Sequence, residues 1–161
     1  DMPGLMQCQN ATFHVTGPSG SRTIPAREFY ESAYLTARED DEILTAVSFD
    51  APTGGQAYEK QKRKIGDYAT AAAAVILTRS GDRCTAASIA MTNLSDTPIW
   101  AEAAGEALVG TACNEDAVIA AITAMQAAID PSEDNRGPVE FKRHAAGIIL
   151  ARAIARAWSR A

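Results

Sequence analysis

The densest chemistry in the chain is Tyr58-Glu59-Lys60-Gln61-Lys62-Arg63-Lys64-Ile65-Gly66-Asp67-Tyr68, where four cations fall within five residues between two tyrosines. Ammonium and guanidinium groups hold anions through charge-assisted hydrogen bonds, and a tyrosine ring packs over other planar systems. The run therefore suits an anionic ligand that carries a flat ring. A solvated basic strand has the same composition, because charge runs usually mark exposed faces. Gly66 lets a backbone pass close to a ligand, and Tyr68 follows it by two residues; a plain turn with a core tyrosine explains that pair as well.

Other chemistries find little support. No G-x-S-x-G elbow occurs, and neither His14 nor His144 stands in a triad order with a serine or cysteine. There is no G-x-G-x-x-G and no P-loop, so the sequence does not bind a nucleotide through a Rossmann or Walker site. Cys8, Cys84 and Cys113 are odd in number and far apart, which suits neither a disulfide scaffold nor a metal ligand set. A reduced, cytoplasmic compartment is the simplest reading. The formal net charge of -5 argues against nucleic acid as a partner, since phosphate binding needs excess Lys and Arg. No apolar run approaches the roughly 20 residues of a membrane span, and 161 residues suffice for one ordinary domain or a small one plus part of another. Asp1-Met2-Pro3-Gly4 is not a signal peptide and reads like a cut through a longer polypeptide.

The elements that must position these residues are legible from pattern. Residues 11–25 alternate like a hairpin around Gly17-Pro18-Ser19-Gly20, and 25–35 reads as a short helix with Pro25 in its first turn. Residues 43–49 are rich in strand formers and stop at Asp50-Ala51-Pro52-Thr53-Gly54-Gly55, which marks a boundary between domains at 1–52 and 53–161. After it, 57–62 is strand-like, and 70–79 and 84–93 form a hairpin around Ser80-Gly81-Asp82. Three helices follow: one from Asp96 or Thr97 to Gly110, one capped by Asn114 with Val118, Ile122, Met125 and Ile129 on one face, and one from Pro138. On the last, Gly147, Leu150, Ile154 and Trp158 form the apolar line. Arg152, Arg156 and Arg160 form another stripe, either solvated or facing an acidic partner. The fold class is α+β.

Several segments carry a family resemblance. Asp1 to Cys8, Tyr58-Glu59-Lys60, the run Lys62 to Val75, Ala90-Met91-Thr92-Asn93, Thr97 to Glu102, and Arg136-Gly137-Pro138-Val139-Glu140-Phe141 resemble the FAD-carrying medium subunits of molybdenum hydroxylases, those of aerobic carbon monoxide dehydrogenase in particular. The resemblance extends over practically the whole chain. It implies the tail of a PCMH-type FAD-binding domain, followed by a three-stranded antiparallel sheet packed on three helices. It also implies that two Gly-rich FAD loops lie upstream of Asp1, so that FAD is shared with that upstream segment.

By the same resemblance, Asp1 falls near the flavin's polar chain, Leu44 and Lys60 at further FAD contacts, and Tyr68 over a face of the isoalloxazine. The implied partners are a large subunit with the molybdenum cofactor, a small subunit with 2Fe-2S clusters, and quinone as electron acceptor. The implied site is the cytoplasm, at or near the inner face of the cell membrane. Related flavin subunits serve nicotine, aldehyde and xanthine hydroxylases, and a fragment that only docks subunits is the non-catalytic alternative.

Overall fold

A computed structural model describes all of residues 1–161. It opens on a helix that sequence reasoning missed, α1 (Met2–Gln9). Pro3 sits in its first turn, where a missing N–H is harmless. Asn10 ends it in the left-handed conformation, φ 48°, and the N–H groups of Asn10 and Ala11 donate to the carbonyls of Gln7 and Met6. A hairpin follows as expected, β1 (Thr12–Gly17) and β2 (Gly20–Pro25), and β5 (Ile43–Ser48) pairs with the other side of β1. The sheet order is β2-β1-β5, antiparallel throughout.

Between these strands the helix expected over 25–35 is one turn only, α2 (Ala26–Phe29), and the chain then turns through β3 (Tyr30–Ser32) and β4 (Leu35–Thr36). The cause is aromatic packing. Phe29 stacks on Phe13 at 4.1 Å between ring centroids, and Tyr30 meets both rings edge-on. Adjacent residues of a helix do not share a face, so Tyr30 takes up extended backbone instead.

The second half is a four-stranded antiparallel sheet, β6 (Gly55–Gln61), β7 (Ala71–Ser80), β8 (Arg83–Thr92) and β9 (Ile99–Trp100), in the order β6-β7-β8-β9. Its three long strands are the three expected; the fourth is a two-residue edge. It forms where a helix was expected from residue 96 or 97. Ile99 and Trp100 pair with Met91 and Ala90, the Ala101 N–H donates to Ile89, and Arg27 of α2 lies 3.4 Å from the centre of the Trp100 ring. These contacts hold the segment extended, so helix α3 covers only Glu102–Glu106.

Helix α4 (Glu115–Ala128) is capped as expected, the Asn114 side chain accepting from the Ala117 N–H at 3.2 Å. Its buried line is Ala117, Ala121 and Met125, with Val118 and Ile122 only partly covered. Of the expected face, Met125 and Ile129 are buried while Val118 and Ile122 lie at its margin, with Ala117 and Ala121 filling the centre. Helix α5 (Val139–Trp158) buries Leu150 and Ile154 as expected. Two arginines of the expected stripe fasten this end of the molecule: Arg156 of α5 pairs with Glu59 at 2.6 Å, and Arg160, just past the helix, donates to the Gln56 carbonyl at 2.7 Å.

The central strand β7 is buried on both faces, and period two sorts its side chains. Ala71, Ala73, Val75 and Leu77 join the main core with α4 and α5. Ala74 and Ile76 face the other way, toward Leu5 and Cys8 of α1. Helix α1 thereby ties the two halves together. Gly4 makes this approach possible, since a methyl there would overlap Thr92 Oγ1.

Candidate flavin-facing site

The basic run does two jobs. Lys60, near the end of β6, forms an ion pair with Asp1, which places two of the four expected site residues side by side although they are 59 residues apart. Beyond β6 the chain leaves the sheet and returns at Thr70, whose N–H donates to the Gln61 carbonyl at 2.7 Å. Arg63 braces this loop: its Nε donates to Asp67 Oδ2 at 3.1 Å and one terminal nitrogen donates to the Asn135 carbonyl at 3.1 Å. The Arg63 guanidinium also holds the Asp67 carboxyl below the ordinary carboxylate range. Asp67 Oδ1 in turn accepts the Tyr68 N–H at 2.9 Å. Gly66, at φ 81° with open space where a side chain would stand, supplies the turn.

The loop presents the Tyr68 ring to solvent with 72% of its surface exposed. That ring is not core. It lines a polar cavity of about 490 Å³ together with Tyr34, Asn93, Asp134, Arg136 and Lys142. Sequence reasoning did not single out these companions as a site. Tyr34 comes from the turn between β3 and β4, at φ 63°, so the cavity draws an aromatic from each half of the chain. Arg136 lies with its guanidinium 5.6 Å from the Tyr68 ring centre, within cation–π reach. The one sequence signal for it was its place in the Arg136-Gly137-Pro138 segment of the resemblance.

Behind Arg136 the wall is rigid. Lys142, only 3% exposed, donates to Asp134 Oδ1 at 2.9 Å and to the Ser132 carbonyl at 2.6 Å. Asp134 also accepts the Arg136 backbone N–H at 2.8 Å, and the Lys142 hydrogen bond leads the causes that depress its pKa. Arg136 Nε is buried and lacks a hydrogen-bond partner, as does Thr92 Oγ1. An orphaned guanidinium N–H beside an exposed ring is what a planar ligand with acceptor atoms would satisfy. The volume is ample for a tricyclic ring. On these observations the residues fit a flavin.

The remaining expected residue lies elsewhere. Leu44 sits on β5 opposite Val15, 40% exposed, and neither it nor Lys60 nor Asp1 lines the Tyr68 cavity. No cluster of three His, Cys, Asp or Glu side chains is placed to hold a metal ion, and no helix is long and apolar enough to cross a membrane.

An antiparallel sheet backed by helices is joined through α1 to a second, three-stranded sheet, and the family comparisons make this a flavoprotein module. Residues 56–157 match the CO dehydrogenase flavoprotein C-terminal domain, and the chain belongs to that family; residues 1–52 match the FAD binding domain in molybdopterin dehydrogenase. Among individual proteins, the chain is similar to the carbon monoxide dehydrogenase medium chain of Afipia carboxidovorans, with 53% identity over all of this chain and 57% of that one. The corresponding medium chain of Hydrogenophaga pseudoflava is 39% identical over 99% of this chain and 56% of its own length. Reconstituted CO dehydrogenase from Oligotropha carboxidovorans superposes with a TM-score of 0.97 at 53% identity, covering 100% of this chain and 57% of that one. The chain thus spans little more than half the length of these relatives.

Proposed function

We propose that this chain is the part of a medium subunit that closes over FAD in a molybdenum hydroxylase, and that carbon monoxide is the substrate the whole assembly oxidises to carbon dioxide. The observation that carries the flavin reading is the exposed Tyr68 ring at the mouth of a cavity whose Arg136 Nε has no partner. The medium-chain relatives support the choice of carbon monoxide over the nicotine, aldehyde and xanthine types.

In this reading 1–52 completes an FAD-binding domain begun upstream and 53–161 is the terminal domain. FAD, when bound, would supply reversible electron transfer between the 2Fe-2S subunit and quinone. The chain's own residues bind and orient. Tyr68 would cover one face of the isoalloxazine, and Arg136, which lines the same cavity, would offer it a hydrogen-bond donor. Lys60, held in place by Asp1, offers positive charge to the ligand's polar chain, with Leu44 a further apolar contact. The molybdenum cofactor and the iron-sulfur clusters belong to the large and small partner subunits, and the assembly works in the cytoplasm near the inner membrane face.

Tyr68→Ala in the complete medium subunit is the test. Loss of a ring contact worth about 1 kcal/mol should weaken flavin binding about fivefold while the melting temperature of the flavin-free protein holds. A stability loss of roughly 3 kcal/mol with unchanged flavin affinity would make Tyr68 a packing residue and favour the docking-module alternative.

A further inference from the structure

At the turn end of the β7–β8 hairpin, the chain brings two of the three cysteines into one neighbourhood. Cys84 opens β8 and is buried; its N–H donates to the Thr111 carbonyl and its carbonyl accepts the Gly110 N–H, each at 2.8 Å. The connection from α3 to α4 therefore runs alongside the strand. Arg83 adds a hydrogen bond to the Gly110 carbonyl at 2.6 Å. Thr111 Oγ1 donates to the Leu108 carbonyl at 2.7 Å and accepts the Cys113 N–H at 3.1 Å, which carries Cys113 back over Cys84.

There Cys113 packs against the core cluster that contains Cys84, whose thiol donates to the Ala86 carbonyl at 3.4 Å. Cys84 is buried within the main core, and Cys113 is half-buried. Its backbone is left-handed, φ 48°, a conformation that a non-glycine residue keeps only when its surroundings enforce it. A half-buried cysteine next to a buried one offers an attacking and a resolving thiol.

We propose that Cys84 and Cys113 are a modification site, a thiol pair that a low-molecular-weight disulfide converts reversibly into an intramolecular disulfide, stapling the α3–α4 connection to β8. The Cys113 thiolate attacks one sulfur of the reagent, forming a mixed disulfide and expelling one thiolate. Cys84, losing its proton, then attacks the Cys113 sulfur and expels the second. Two protein thiols are oxidised to one disulfide, the reagent is reduced to two thiols, and the two protons leave with them. Burial, the chief cause, pushes the Cys113 thiol up to about 11, so the first attack proceeds through a small thiolate fraction and is slow at neutral pH.

The test is to treat the 161-residue chain with oxidised glutathione at mildly alkaline pH. Expected are an intact mass lower by two hydrogens, a peptide linking Cys84 to Cys113, Cys8 still alkylated after unfolding, and full reversal by dithiothreitol. Cys84→Ala should stop the reaction at a glutathione adduct on Cys113, and Cys113→Ser should abolish both adduct and mass loss. A stable glutathione adduct on Cys113 in the unsubstituted protein, two thiols that stay alkylatable, or a disulfide that includes Cys8 would each overturn the proposal.

Discussion

Cys8 sits at the seam between the two halves, its thiol donating to the Ser88 carbonyl at 3.3 Å while Ser88 Oγ donates to the Cys8 carbonyl at 2.6 Å. Burial, the largest cause, pushes this thiol from its ordinary 9.0 up to about 11. The native state then holds the proton more tightly than the unfolded chain does. This contribution is fully present below pH 9 and is lost as pH rises through about 11. Two units correspond to about 2 to 3 kcal/mol. Urea unfolding followed from pH 8 to pH 11 should therefore show falling stability, and Cys8→Ala should flatten part of the fall. The raised thiols of Cys84 and Cys113 and the raised phenols of Tyr30 and Tyr58 add to the fall. An identical slope in Cys8→Ala would mean that its thiol does not titrate in this window. At this same scale the cavity was legible only through Tyr68: Lys60 also stood out by type but does not line it, and Arg136, Asp134 and Lys142 did not stand out, because an isolated charged residue says nothing about which cavity it enters.

Among the elements, α1 is the one whose docking decides how the halves meet, and Gly4 is its point of contact. Replacing a helical glycine by alanine ordinarily stabilises by up to about 1 kcal/mol. At Gly4 the new methyl would overlap Thr92 Oγ1, so Gly4→Ala should instead cost about 1 to 2 kcal/mol net. Gly147 in α5 is the internal control, since a methyl there meets Ile122 and Gln126 at ordinary contact distance and Gly147→Ala should be neutral or stabilising. Chemical denaturation of both variants checks this, and equal effects would refute the close α1 contact. The strands of the terminal sheet were readable because Val75-Ile76-Leu77-Thr78 and the Ser80-Gly81-Asp82 turn agreed, and α4 because Asn114 caps it. Helix α1 was not readable, because eight residues with Pro and Gly near the start carry little helical signal.

Across the whole molecule the uneven surface lies on β5, the outer strand of the amino-terminal sheet, where Ile43, Leu44 and Val47 are exposed and Phe49 just beyond them is too. An apolar open edge is prone to pair with other chains. The 161-residue chain should therefore self-associate at high concentration, and Val47→Lys should reduce light scattering without moving the melting temperature. Unchanged scattering would place the sticky surface elsewhere.

The sequence alone determined the element types over most of the chain, the Pro/Gly-rich break near residue 52, and the family, because periodicity, turn chemistry and a long basic motif are local properties. Only the tertiary structure decided that Asp1 meets Lys60, that Tyr34 and Tyr68 share one cavity, and that the segment leading to Cys113 runs alongside Cys84. Each of those pairs joins residues at least 29 positions apart, brought together by sheet register and by close helix–sheet packing over small alanine side chains. Such juxtapositions depend on how whole elements dock, which no window of neighbouring residues encodes.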